Sequence, residues 1–342
     1  MKVQKSTVVL LTLFFISLYG IGIAAADDPI TSCSTLPEAY DAMESDAVVT
    51  VKTVTEESWK EANFYYTFEP NNVAPTTGFI IYPGAFIDPI AYAPPAHEIA
   101  AEGYLVIVVK MPNNLSVLGL NRANKIISAY DEIENWIISG HSLGGSMACY
   151  YAHDFTDKLE GIVIWAAVPT EESRLDDTNL KAISIYGTKN LNPEKIEALE
   201  KYLPPGSPFI EIEGGNHSYF GWYDANSCPE DMDRIPADIT IEEQQAIIIQ
   251  STVGFLNQFD ISPASPTCTA EKIYGVYSKE TELLRFFRDN VLGKTPEGRE
   301  LIRLYYDWSP AITEVMDKDE ALKENLKELI DGVLGLTNEA IK

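Results

Sequence analysis

Basic residues are few in this chain of 342 residues: 25 Lys and Arg stand against 51 Asp and Glu, for a formal net charge of −26. A field of that sign repels nucleic acid and anionic lipid, so functions that need a basic surface are excluded, although nothing follows about fold. Histidine is scarcer, with four residues, so a general base must come from His97, His141, His153 or His217. Cysteine also numbers four, and no CxxC or HExxH pattern occurs, which argues against a metal site. There is no internal repeat. Beyond the first 26 residues no segment is apolar for long enough to span a bilayer.

Apolar residues make up 46% of the chain, enough for a sizeable core. The opening segment has the layout of a secretory signal peptide. Lys2 and Lys5 precede an apolar run over residues 8–23, which closes on Ala24-Ala25-Ala26 before Asp27-Asp28. Cleavage there predicts an exported protein, periplasmic or extracellular, with no stable membrane insertion; a retained N-terminal membrane anchor is the alternative. Loss of the leader removes two basic residues and no acid, so the mature chain is more acidic still. Cys149 lies on an apolar helical face and reads as a buried free thiol. Cys33, Cys228 and Cys268 lie in loop-like sequence, and in an oxidising compartment two of them can pair.

From residue 48 to 260 strand and helix patterns alternate. Residues 48–54 and 64–68 read as early antiparallel strands. Near-continuous apolar runs follow at 78–82, 104–110, 135–139, 161–167, 182–186 and 209–212. Runs of that kind suit a parallel sheet covered on both faces. Helical patterns fall between them at 90–101, 122–134, 144–153 and 193–202, with a last helix at 241–259. The expected fold is α/β: a doubly wound, mostly parallel sheet. Residues 261–267, Ile-Ser-Pro-Ala-Ser-Pro-Thr, form a linker by composition. Beyond it Thr295-Pro296 and Ser309-Pro310 are helix starts, and Leu322, Leu326, Leu329, Ile330 and Val333 share one helical face. The predicted organisation is a leader at 1–26, an N-terminal segment at 27–46, the α/β domain at 47–260, a linker at 261–270 and a small all-helical appendage at 271–342 of three or four short helices.

Gly140-His141-Ser142-Leu143-Gly144-Gly145 carries the chemistry. A strand precedes this G-x-S-x-G segment and a small-residue helix start follows. That is the context of a nucleophile elbow, in which a serine on a tight turn points up from the sheet above a helix N-terminus. His217, in Gly214-Gly215-Asn216-His217-Ser218, follows the strand at 209–212 and comes after the serine, in the chain order Ser…acid…His of α/β-hydrolases. His141 reads as structural; His97 and His153 fall in helical stretches. The oxyanion donors expected are the N–H groups of Leu143 and of Ala85, the latter in the turn Pro83-Gly84-Ala85. Tyr219, Phe220, Trp222 and Tyr223 either line a pocket or pack on the domain.

Tyr82-Pro83-Gly84-Ala85-Phe86-Ile87-Asp88, Ala91-Tyr92-Ala93, Val108-Val109-Lys110-Met111-Pro112, the GHSLGG elbow, Tyr186-Gly187-Thr188, Gly214-Gly215-Asn216-His217 and Phe220-Gly221 together resemble bacterial α/β-hydrolases related to dienelactone hydrolases, over residues 60–260. The resemblance implies a serine hydrolase acting on a small-molecule ester or lactone without a cofactor. It also exposes a departure. The family carries its triad aspartate after Tyr-Gly-Thr, where this chain has Lys189-Asn190. In a serine-protease triad that exchange lowers kcat by about 10⁴ through the wrong tautomer. Either the acid is Glu171 or Glu172, after the preceding strand, or Asn190 orients the histidine neutrally. A third reading is a catalytically weakened binding protein. Farther on, Cys268, Tyr274-Gly275, residues 283–289, Gly298, Tyr305-Tyr306 and Ser309-Pro310 resemble the helical module called the CFI box, although Thr269-Ala270 replace its Phe-Ile pair.

Overall fold

The computed structural model describes residues 32–55, 64–71, 73–190, 192–229 and 234–259, with 269–275, 278–290 and parts of 292–340. The expected leader, residues 261–268 of the expected linker and Thr295-Pro296 lie outside the described residues. The chain divides into two compact units between residues 261 and 262.

The first unit opens with β1 (Ser34–Thr35) and α1 (Pro37–Asp41), then β2 (Val49–Thr55), β3 (Phe64–Pro70) and β4 (Thr77–Tyr82). Next come α2 (Ala93–Ala101), β5 (Leu105–Val109), α3 (Arg122–Ile127), β6 (Asn135–His141), α4 (Leu143–Asp154) and β7 (Gly161–Trp165). The unit continues with β8 (Lys181–Gly187), α5 (Pro193–Tyr202), β9 (Phe209–Ile212), β10 (Tyr223–Asp224) and α6 (Ile241–Leu256). Eight strands form one sheet in the order β2-β3-β5-β4-β6-β7-β8-β9. The pairs β2–β3 and β3–β5 are antiparallel, and all pairs from β5 through β4 to β9 are parallel.

The parallel strands are apolar because both faces are covered. Successive side chains on a strand point to opposite faces. Phe79, Ile81, Val106, Val108, Ile137, Val163 and Trp165 pack with Ala96 and Ile99 of α2 and Ile248 and Phe255 of α6. Their neighbours Ile80, Tyr82, Ile107, Ile138, Ile162 and Ile164 pack with Ala123 and Ile126 of α3, Ala148, Cys149 and Tyr151 of α4, and Leu199 of α5. Cys149 is a buried free thiol whose pKa is pushed up by that burial.

Two helical expectations are corrected. The helix expected at 122–134 ends at Ile127, because Ser128 turns back on Asn124 and the amides of Glu134 and Asn135 are both taken by the Thr76 carbonyl to start β6. The segment expected as a helix from 90 begins as a 3₁₀ turn at Pro89–Tyr92, and α2 follows from Ala93. Pro94 and Pro95 sit in its first turn, where an N–H would have no intrahelical acceptor.

The described helices of the second unit are α7 (Thr269–Tyr274), α8 (Lys279–Asn290) and α9 (Glu320–Ala340). Thr269 and Ala270, expected in the linker, open α7, held by Thr269 Oγ1 on Ser309 Oγ and by the Ala270 amide on Tyr305 Oη. With its 21 residues α9 is not short, and Leu329, expected on its apolar face, is exposed.

Cys33 and Cys228 form a disulfide across a sequence separation of 195 residues. It joins the segment carrying β1 to the loop after β10, the strand that β1 pairs with. Replacing both cysteines by alanine should cost about 2–4 kcal/mol, mainly by freeing the unfolded chain. The unfolding midpoint should fall by about 5–15 °C. Coincident circular-dichroism melts of oxidised wild type and variant would contradict this.

Candidate functional site

The four segments singled out from sequence all leave the carboxyl ends of parallel strands: 83–85 after β4, Ser142 after β6, Asn190 after β8 and His217 after β9. In open α/β sheets that edge is where ligands bind.

Ser142 occupies φ 54°, ψ −123°, a conformation that side-chain-bearing residues rarely adopt. Its amide donates to the Trp165 carbonyl (3.0 Å), and its own carbonyl accepts from Ser146 (3.0 Å) as α4 begins. Glycines make the turn sterically possible. A β-carbon on Gly140 would collide with the backbone of Gly144, and one on Gly144 with the Tyr82 carbonyl. The Ser142 side chain does not cap α4; its Oγ lies 2.8 Å from His217 Nε2.

His217 sits in a loop pinned along its length. Gln244 of α6 accepts from the Asn216 amide and donates to its carbonyl, both at 2.9 Å. Gln245 donates to the Tyr219 carbonyl, and Asn216 accepts from the Tyr219 amide. The Lys189 amide donates to Gly215, so the turn bearing Asn190 is tied to this loop by backbone. Asn190 Oδ1 lies 2.7 Å from His217 Nδ1. An amide oxygen only accepts, so Nδ1 carries the proton and Nε2 is left bare toward Ser142. Asn190 Nδ2 is buried without a hydrogen-bond partner among the described residues.

Glu171 and Glu172, offered above as alternative acids, are not hydrogen-bonded to His217. Both are exposed on a 3₁₀ turn, Glu171–Ser173, closed by Thr170 and Ser173. Glu171 acts electrostatically on Arg174 and Lys201, and Glu172 on Tyr150. The structure therefore brings Ser142, His217 and Asn190 together and leaves both glutamates apart, because the turn after β7 is folded back on its own capping residues.

The turn after β4 is held almost entirely by partners. Ser116 Oγ donates to the Pro83 carbonyl, the Gly84 amide donates to Tyr92 Oη (2.9 Å), and the Phe86 amide donates to the Asn114 carbonyl (2.8 Å). Phe86 has φ 61°, which turns the chain sharply. Between the two committed amides, the Ala85 N–H makes no hydrogen bond among the described residues. Leu143 N–H opens α4 and has no intrahelical acceptor.

His141 is fully buried. Its ring stacks on Phe220 (centroids 5.5 Å apart, planes 10° from parallel) and lies 4.7 Å from the His217 ring. Burial, reinforced by nearby His217, holds its pKa well below the usual histidine value. Phe220 and Tyr223 are buried packing residues; Tyr219 and Trp222 are partly exposed. Sequence reasoning missed Tyr92 as a site residue. It lies in an apolar helical stretch that reads as core, and it is core, with its hydroxyl turned inward. His97 packs edge-on against Phe68, and His153 is exposed near the end of α4. Among the described residues no group of His, Cys, Asp and Glu side chains is arranged to hold a metal ion. No described helix is long and apolar enough to cross a membrane.

Residues 78–245 match the model of the alpha/beta hydrolase family. The fold, a mostly parallel doubly wound sheet with a helical C-terminal part, is the α/β-hydrolase fold. Solved structures similar to the chain include a thermostable esterase from Pseudomonas putida ECU1011, with 13% identity, covering 66% of this chain and 88% of that one, TM-score 0.47. An esterase from Pyrobaculum calidifontis shows 12% identity over 66% of this chain and 90% of its own, TM-score 0.46. A dienelactone hydrolase-like protein from Klebsiella pneumoniae subsp. pneumoniae MGH 78578 shows 16% identity over 61% and 99%, TM-score 0.44. No curated protein matches the chain.

The depressed pKa of His141 has a consequence for stability. The unfolded chain binds a proton there near pH 6.5 and the folded chain resists it. The neutral-histidine contribution is thus complete above about pH 6.5 and is lost as pH falls below it toward the folded pKa. Wild type should lose more of its melting temperature between pH 7.5 and pH 5.5 than His141→Gln does. Equal losses would show that His141 is not held neutral.

Proposed function

We propose that the chain is a serine hydrolase that cleaves a small ester or lactone through an acyl-serine intermediate, with no cofactor. Ser142 Oγ attacks the carbonyl carbon while its proton passes to His217 Nε2. The oxyanion is met by the N–H groups of Leu143 and Ala85, at the positive end of α4. Collapse of the tetrahedral species expels the alcohol, which takes the proton from Nε2. Water then attacks the acyl group, again through His217, and the acid leaves. Asn190 fills the place of the acid: its oxygen fixes the imidazole tautomer but supplies no charge to the imidazolium. The observation that carries this reading is the pair of contacts at His217, 2.8 Å to Ser142 Oγ and 2.7 Å to Asn190 Oδ1. The small substrate rests on the resemblance to hydrolases of the dienelactone type.

A fluorophosphonate probe should label wild type at Ser142 and leave Ser142→Ala unlabelled. Equal labelling of both, or none of wild type, overturns the enzyme reading. A second reading, a binding protein with little turnover, is favoured by the amide at position 190, whose Nδ2 has no partner among the described residues. Asn190→Asp separates the two. In a working hydrolase it should raise kcat about tenfold or more, because a carboxylate stabilises the imidazolium. It should also move the acid limb of the pH profile to higher pH, since a neighbouring anion favours the charged imidazole.

Export is part of the proposal, supported by the leader and by the Cys33–Cys228 disulfide, a bond that persists in oxidising compartments. We also place residues 271–342 outside the chemistry. A chain ending at Ser262 should stay folded and keep its turnover; a folded, soluble but inactive truncation would assign the appendage a part in the site.

A further inference from the structure

Three hydrogen bonds join the turn after β4 to the loop of His217 through two fully buried side chains. The Gly84 amide donates to Tyr92 Oη (2.9 Å), Tyr92 Oη meets His141 Nδ1 (2.8 Å), and His141 Nε2 meets the His217 carbonyl (2.9 Å). The polarity of the chain follows from its ends. A carbonyl only accepts, so Nε2 of His141 carries a proton. A neutral imidazole has one proton, so Nδ1 is bare and Tyr92 Oη donates to it. The Tyr92 oxygen then accepts from Gly84. Each group has one role, and none can reverse without leaving a buried donor or acceptor unpaired.

We propose that Tyr92 and His141 are positioning residues of the hydrolase, a relay that fixes the distance between the Ala85 oxyanion donor and the His217 base. The proposal rests on the hydrolase reading above. Gly84 immediately precedes Ala85, and the other end of the relay is the backbone of the base itself. These two elements come from strands β4 and β9, far apart in the sheet order. There is no slack: a β-carbon on Gly84 would come within 2.8 Å of Ile87, 3.1 Å of His141 Nδ1 and 3.2 Å of Tyr92 Oη. Stacking of His141 on Phe220, three residues beyond His217, holds the ring that forms the middle of the relay.

Tyr92→Phe removes one oxygen and cuts the relay at two bonds. Its kcat on a 4-nitrophenyl ester should fall about tenfold or more, with KM within about twofold, because misplaced groups cost the transition state and not the ground state. His141→Gln has an amide that can accept from Tyr92 and donate to His217; it should keep clearly more kcat than His141→Leu, which can do neither. Adding His141→Leu to Tyr92→Phe should cost little further, since the relay is already cut. Wild-type kcat in Tyr92→Phe overturns the proposal, as does equal kcat in His141→Gln and folded His141→Leu. Should His141→Leu fail to fold, Tyr92→Phe and His141→Gln decide. If wild type neither labels with fluorophosphonate nor turns over ester, the hydrolase reading falls and the positioning role falls with it. If wild type is active and Tyr92→Phe matches it, only the relay falls.

Discussion

Ser142 faces His217 because its backbone is held where a residue with a β-carbon resists going. The elements around it serve that constraint. Gly140 and Gly144 give the turn room, the Trp165 carbonyl takes the serine amide, and α4 starts at the next residue, so the orphan N–H groups of its first turn converge above the sheet. The strain is tolerable because the turn joins a strand buried on both faces to a helix packed on the same core. A looser frame would let the serine relax into an ordinary helix cap and turn its oxygen away from the histidine.

The rest of the site is assembled by neutral hydrogen bonds. Gln244 and Gln245 thread the His217 loop from α6, Asn190 fixes the imidazole from the turn after β8, and His141, at the end of β6, links the His217 carbonyl to Tyr92 of the 3₁₀ turn that follows β4. In a chain with a net charge of −26 this is economical: buried amides, hydroxyls and a neutral imidazole need partners but not counter-ions. It also explains why the structure leaves Glu171 and Glu172 at the surface. Bringing either inward would bury a charge, whereas the amide of Asn190 reaches Nδ1 with a smaller desolvation cost.

The fold was legible because apolar runs at strand length, separated by helical periods, admit few architectures, and because a G-x-S-x-G between a strand and a helix has a strict geometric meaning. Ser142 and His217 could be named for the same reason, since chain order and strand ends put them at one edge; Asn190 was named only through the resemblance to dienelactone-type hydrolases, with Glu171 and Glu172 as alternatives. What sequence did not reveal was contact. Tyr92 reads as an apolar-helix residue, and nothing local says that its hydroxyl turns toward His141, 49 residues away. The end of α3 was missed because the Thr76 carbonyl that claims residues 134 and 135 is remote in sequence. Of three loop cysteines, the pairing of Cys33 with Cys228 follows from where β1 meets β10.

The two histidines at the centre of the site are close enough to constrain one another. Their rings are 4.7 Å apart, and charge on His217 pushes the His141 pKa further down, on top of the effect of burial. In the proposed reaction His217 becomes a cation at each tetrahedral step. His141 can stand beside that cation only while neutral; burial, reinforced by the His217 charge, keeps it so, and the hydrogen bond to the His217 carbonyl fixes its tautomer. That bond requires a proton on Nε2 and leaves Nδ1 to Tyr92. A proton arriving on His141 would place two like charges within about 5 Å in a buried site, an interaction far stronger there than in water. It would also turn Nδ1 from an acceptor into a donor facing a hydroxyl that already accepts from Gly84. In the proposed reaction two residues of the same type thus take two roles: partly exposed His217 takes and returns a proton, and buried His141 stays neutral.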